Sequence, residues 1–399
     1  MHAINNYDNF FLEHLMQSKP ENFSKILNNR DSLNVQIIYT KIDRNRKNQP
    51  SFTEYTFNLN NRYFYPASTV KLPTAILALE KLNDLNIKGV NKFTTMITDS
   101  SSDKQLMSYT SPTAEDSRPS IANYIKQILL VSDNNAFNHL YEFLGQATIQ
   151  KKLLEKGYPD VIIRHRLQTT LTDKQNRTTN PIAFYDSTGQ LLYQQAEAYS
   201  SALFQQFDAK LGNGYYQDQQ LVNAPFDFSM KNRIYLQDLH HILKSILFPE
   251  SVNKLQRFNL SAEDYQFLQH WMSAYPGESK YPNYDSAHYW NAYCKFLLLG
   301  RENKATPDNI RIFNKVGDAY GFLTDVAYII DKKNKVEFML SATISCNSDG
   351  IYNDDKYDYD TVGYPFMKQL GQLLYDYELK RKRKQTPNLE KFNFNYQNN

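Results

Sequence analysis

The sequence predicts an α/β protein of the α+β type: one antiparallel sheet, assembled from both ends of the chain, flanked by a helical middle. Three observations lead there. Runs rich in β-branched residues lie near the N-terminus, at 35–42 and 52–59. Similar runs return near the C-terminus, at 310–315, 322–330 and 336–344. Between them, apolar residues recur at helical spacing.

Taken in order, residues 9–27 carry Phe10, Phe11, Leu15, Phe23, Ile26 and Leu27 near a helical period, and Pro20 interrupts them. They predict two short helices or one broken one. Residues 35–42 and 52–59 form an antiparallel pair. A helix begins close to Ser68, because Pro73 is tolerated only in a first turn. Leu72, Ala75, Ile76 and Leu79 give that helix a buried stripe. A polar connection (94–117) leads to a helix at 121–131. A second helix carries Phe137, Leu140, Tyr141 and Leu144 and stops at Gly145. From 168 to 228 Gln, Asn, Thr and Tyr dominate, which reads as an elaborated loop with too little apolar surface for its own core. A hairpin is expected within it, joining 183–185 to 191–193. Helices follow at 234–247 and 261–271, the latter capped by Ser261. Residues 275–285 are irregular. A short strand at 310–315 precedes a hairpin of two strong strands, and 363–377 is a closing helix.

The chain has 399 residues, enough for one large domain or two ordinary ones. The pattern favours a single domain over 1–379, with the sheet at 30–67 and 310–379 and the helical part at 68–309. Lys+Arg (45) nearly balance Asp+Glu (42), so no global field points to nucleic acid or a membrane surface. The one dense basic run, Lys380 to Lys384, heads a polar tail (380–399) expected to be solvated and frayed. No second basic patch supports a nucleic-acid arm. Cys294 and Cys346 are too few for a disulfide framework or metal site, and the sequence leaves open whether they meet. His240 and His241 read as surface residues of an amphipathic helix. No metal or other cofactor is implied. No apolar run reaches the length of a membrane span. No signal-peptide pattern is visible, so the sequence fits a cytoplasmic protein or a mature form without its leader.

The stretch with most chemistry is Ser68-Thr69-Val70-Lys71. An (i, i+3) pair shares a helical face, so the Lys71 amine can meet the Ser68 hydroxyl. Lysine becomes a base when burial or a nearby charge lowers its pKa. The helix N-terminus favours a developing oxyanion. Ser-x-x-Lys is a common pattern, and Ser101-Ser102-Asp103-Lys104 is a decoy with no apolar helix behind it. Two further motifs supply context. Ser132-Asp133-Asn134 falls between two apolar helices, where one of these residues must also serve as N-cap. Lys315-Val316-Gly317 ends the short strand, where the glycine allows a substrate backbone to approach. Its decoy, Lys210-Leu211-Gly212, has no strand before it.

The three motifs, in this order and context, resemble the penicillin-recognising serine hydrolases, most of all their class A β-lactamase branch. The resemblance spans roughly 33–379 and extends along Gly317-Asp318-Ala319-Tyr320-Gly321-Phe322. It implies a β-lactamase/transpeptidase-like fold, with Ser68 as acylated nucleophile and Lys71 as base or proton relay. Ser132 would carry the proton to the leaving nitrogen, and Lys315 would supply positive charge to Ser132 and a substrate carboxylate. Asn134 would bind the substrate amide and Lys71. The N–H of Ser68 and a second from the strand after Gly317, near Tyr320 or Gly321, would form the oxyanion hole.

At two positions the chain departs from the family pattern. Val316 stands where the family usually has a hydroxyl that helps hold the carboxylate. The loop glutamate that activates the deacylating water falls on Gln168, and an amide cannot take a proton from water. The resemblance therefore implies a serine acyl-transfer hydrolase with weak deacylation, acting on a β-lactam or a cell-wall-derived peptide. By resemblance it works in the periplasm or outside the cell. The alternative is a non-hydrolytic module that uses the same cleft to hold a cell-wall peptide or glycan.

Overall fold

The computed structural model describes residues 10–100 and 107–396. Asn9 and the decoy pair Ser101 and Lys104 lie outside the described residues. Five strands form the main sheet: β1 (Gln36–Arg44), β2 (Pro50–Phe57), β3 (Ile310–Ala319), β4 (Phe322–Asp331) and β5 (Val336–Ser345). Their order is β3-β4-β5-β1-β2, every neighbour antiparallel. The chain ends meet where β1 pairs with β5, Ile37 opposite Ala342.

Alternation along the strands divides the core into two layers. On β1, Ile37 and Tyr39 pack with α1 (Phe11–Gln17), α2 (Pro20–Asn28) and α10 (Tyr364–Lys380) on one face. Ile38 and Ile42 join the larger cluster on the other face. That cluster includes α3 (Lys71–Leu85), α4 (Ile121–Val131), α5 (Asn134–Leu144), α6 (Gln146–Glu155), α8 (Leu236–Leu247) and α9 (Ala262–Ser273). Each fully buried Leu or Ile contributes roughly 1.5–3 kcal/mol, a large part of a typical stability margin, and a charge at Ile38 would add the cost of its own desolvation. Pro20 opens α2 and so separates two helices. Pro73 lies in the first turn of α3, where its missing N–H costs nothing. Every residue from Lys71 to Glu80 is buried, a helix enclosed on all sides where a stripe was expected.

Four expectations need correction. The strand carrying Lys315 runs on to Ala319, so the motif lies within β3 and not at its end. The region read as an elaborated loop holds short strands, among them Lys210 and Leu211, which pair with Phe226 and Asp227. His240 is fully buried: it faces the sheet from α8, its imidazole held between the Thr40 and Ser341 hydroxyls at 2.8 Å each. Burial pushes its pKa down to about 3. The C-terminal segment is packed, not frayed. Arg381 and Arg383 pair with the buried Glu378, and Leu389, Phe392 and Tyr396 are buried on the helical face of the sheet. The basic run dominated the composition there, while the aromatic residues beyond it supply the apolar area that docks it.

The long insertion carries the hairpin expected of it, Ile182–Tyr185 with Leu191–Gln195, which also pairs with Thr95–Thr98. It begins with α7 (Asp173–Arg177). Cys294 and Cys346 are buried and free.

Candidate active site

A short 3-10 turn, Ala67–Val70, leads into α3 and presents Ser68, partly exposed, at the helix mouth. One helical turn on, Lys71 is completely buried. The linker between α4 and α5 is only Ser132 and Asp133. Ser132 takes a left-handed conformation (φ 61°) and the Asp133 carboxylate caps α5 by accepting from the Ala136 N–H at 2.7 Å. A non-glycine residue held at positive φ stores strain that its surroundings must support, as functional sites often do.

The polar side chains join in one continuous network. The Lys71 amine donates to the Ser132 carbonyl, to Asn134 Oδ1 at 2.6 Å and to Ser132 Oγ at 3.3 Å. Lys315 Nζ donates to Ser132 Oγ at 2.8 Å and to the Val316 carbonyl at 2.8 Å. Asn134 Nδ2 donates to Gln168 Oε1 at 2.7 Å. The Ser68 hydroxyl makes no hydrogen bond among the described residues. Burial, with the Lys315 charge second, holds the Lys71 pKa well below the ordinary lysine value. Burial brings Lys315 down to about 8. A lysine so placed can be a neutral base near neutral pH.

Strand β3 closes the site. A Cβ on Gly317 would lie 2.7 Å from the Pro66 carbonyl oxygen and 2.9 Å from the Ser68 nitrogen. Only glycine permits that approach. Side chains alternate, so Lys315 and Gly317 face the site while Val316 packs into the core layer on the far side of the sheet. The oxyanion assignment to Tyr320 or Gly321 is not supported by the geometry. These two residues form the β3–β4 turn (φ 53° and 75°), and the Gly321 N–H donates to the Tyr359 hydroxyl at 2.9 Å. β3 is an edge strand, and its Ile312 and Val316 carbonyls accept from the Lys295 and Lys315 amines, not from another strand. The same alternation turns the N–H of Asp318, next to Gly317, off that free edge.

The loop bearing Gln168 is fixed by residues that the sequence did not single out. Asn138 Nδ2 donates to the Leu167 carbonyl at 3.0 Å, and its Oδ1 accepts from the Leu167 N–H at 2.9 Å. One helical turn later, the buried Glu142 accepts from Arg166 Nε at 2.7 Å and from the Asn180 N–H at 2.6 Å. Their (i, i+4) spacing on α5 was the available signal. Gln168 itself is exposed, at φ 53°. Among the described residues no cluster of His, Cys, Asp and Glu could hold a metal ion, and no helix is long and apolar enough to cross a membrane.

The model of the beta-lactamase enzyme family matches residues 22–221, half of the chain, and the protein belongs to that family. The matched span includes Ser68, Lys71, Ser132, Asn134 and Gln168; Lys315 lies beyond it. Among solved structures, PBP-A is similar at 14% identity and TM-score 0.50, covering 92% of this chain and 94% of that one. A PBP-A mutant, described as an acyl-enzyme complex with penicillin G, is similar at 14% identity and TM-score 0.50, covering 92% and 96%. A beta-lactamase from Sphaerobacter thermophilus has 12% identity and TM-score 0.49, covering 93% and 98%. Identities this low are likenesses of fold, and the fold is that of the β-lactamases and penicillin-binding proteins. No curated protein matches the sequence.

Proposed function

We propose that the protein is a serine acyl-transfer hydrolase that is acylated faster than it is deacylated. The observation that carries this reading is the unbroken network from Lys315 through Ser132 and Lys71 to Asn134 and Gln168. Ser68 Oγ attacks the carbonyl of a lactam, amide or ester and gives its proton to neutral Lys71. The new oxyanion is held by the N–H groups of Ser68 and Asp318. Ser132 passes its proton to the leaving nitrogen as the C–N bond breaks and takes one back from Lys71, 3.3 Å away, while Lys315 stabilises Ser132. Hydrolysis of the ester then needs a base for water, and Gln168 can orient a water but not deprotonate it. Family membership and the PBP-A acyl-enzyme with penicillin G support a β-lactam or a related cell-wall peptide as substrate, met outside the cytoplasm.

The test is the intact mass of the protein after incubation with a penicillin. A lasting adduct is expected, absent in Ser68→Ala and shorter-lived in Gln168→Glu. Labelling that persists in Ser68→Ala would place the nucleophile elsewhere. A second reading, a cleft that holds a cell-wall peptide or glycan without turnover, is favoured by Gln168 and by Val316, which offers the cleft no hydroxyl. Ligand binding indifferent to Ser68→Ala, with no adduct from any penicillin or ester, would support it.

A further inference from the structure

The direction in which a substrate must lie follows from β3. Its leaving group belongs at the Lys315 end, where Ser132 waits with its proton, and Ser68 stands opposite Gly317. The acyl side chain therefore extends the other way along the strand. Tyr320 lies three residues on, in the turn that follows the end of the strand at Ala319.

At that end the wall is aromatic. The Tyr320 ring meets Tyr65 at 5.0 Å, Phe228 at 5.4 Å and Phe226 at 5.7 Å between centroids. Above it, the Lys231 ammonium stands 5.8 Å from the centroids of both Tyr320 and Phe226. Lys231 also lines a cavity of about 150 Å³ with Arg164, His165 and Thr169, beside the loop that carries Gln168. The other cations there are already engaged. Arg164 pairs with Asp173, and Arg166 with Glu142. His165 is kept neutral by burial, with its pKa near 4. Lys231 has no acidic partner among the described residues, and Arg164 shares Asp173 with Arg177, so this end of the cleft has a net positive charge.

We propose that Lys231 and the Tyr65–Tyr320–Phe226 wall form an acyl-side subsite for a substrate whose acyl group carries a carboxylate. The rings bury the acyl chain and hold the lysine stem, and the ammonium meets the anion at the chain's end. The subsite rests on the acyl-transfer reading above.

The test compares two probes, a penicillin with a glutaryl side chain and the same compound with its terminal carboxylate converted to the amide. The readout is the ratio of their second-order rate constants for labelling Ser68. A preference of about threefold to fivefold for the carboxylate is expected, the yield of a partly exposed charge pair. It should shrink with added salt. In Lys231→Gln the ratio should fall to about one, and in Lys231→Arg it should persist. Equal rates in the unmodified protein, or a preference that survives Lys231→Gln, would overturn the subsite while leaving acyl transfer intact. Failure of both probes and of benzylpenicillin to label Ser68 would overturn acyl transfer, and the subsite with it.

Discussion

Two lysines share Ser132, and their opposed demands set how the site responds to pH. In the proposed mechanism Lys71 must be neutral to accept the Ser68 proton, whereas Lys315 must be charged to support Ser132 and an anionic substrate. Acylation should therefore rise as pH rises through the depressed Lys71 pKa, then fall as Lys315 loses its proton near 8. Because the groups are coupled, the two limbs belong to the pair. A rate of adduct formation that is flat from pH 5 to 10 would remove Lys71 as base. Stability has its own sign. In the unfolded chain Lys315 returns to the ordinary value of 10.5 and binds a proton that the folded state lacks. Stability on this account increases as pH rises from about 8 to 10.5. The side chains of this network were legible in the sequence, because Lys71, Ser132 and Asn134 fall in short motifs, although Ser68, whose spacing singled out Lys71, makes no hydrogen bond in it. The N–H of Asp318 was not legible. A main-chain donor has no sequence signature, and the register of the turn that holds Tyr320 and Gly321 decides which amides face outward.

On the proposed mechanism turnover depends on the loop 164–173, and α5 is its support. Asn138 satisfies both backbone groups of Leu167, the residue before Gln168. Replacing Asn138 by Ala leaves that buried N–H and carbonyl unpaired, at a cost of about 1–3 kcal/mol. The loss should appear first as mobility of Gln168, since Leu167 is its neighbour. We expect amide exchange across 164–173 to accelerate while the helix 121–131 stays protected, and the lifetime of the acyl adduct to change. Unaltered exchange would mean that Glu142 and Arg166 hold the loop alone. A sequence reading favours short motifs over such supports: Asn138 and Glu142 sit in a helix that already accounts for itself as apolar core. The same bias placed His240 on the surface. Its helix is amphipathic, but polar Thr40 and Ser341 wait inside the sheet to receive it.

At the scale of the molecule, the C-terminal segment acts as a strap. It crosses the helical face of the sheet and ends with the Tyr396 hydroxyl 2.8 Å from Ser273 Oγ, while Arg311 lies 3.8 Å from the centre of its ring. Ending the chain at Lys384 would uncover Leu389, Phe392 and Tyr396, the first two alone about 3–6 kcal/mol of apolar burial. A clear fall in melting temperature is expected from calorimetry, and an unchanged one would mean that the strap is only laid on. We propose that the chain folds as one domain, so the intact protein should melt in a single transition. The closure of the sheet by β1 and β5 also has a consequence in time. Ser68 and Lys71 leave the ribosome early, but β1 has no partner until β5 is made, and Lys315 and Gly317 arrive with that last group of strands. Such distant pairing makes folding slow and places it after synthesis. A nascent chain, or one cut short before residue 310, holds a serine and a lysine without the strand that gathers them. The proposed centre is therefore complete only when the two ends of the chain have met in one sheet.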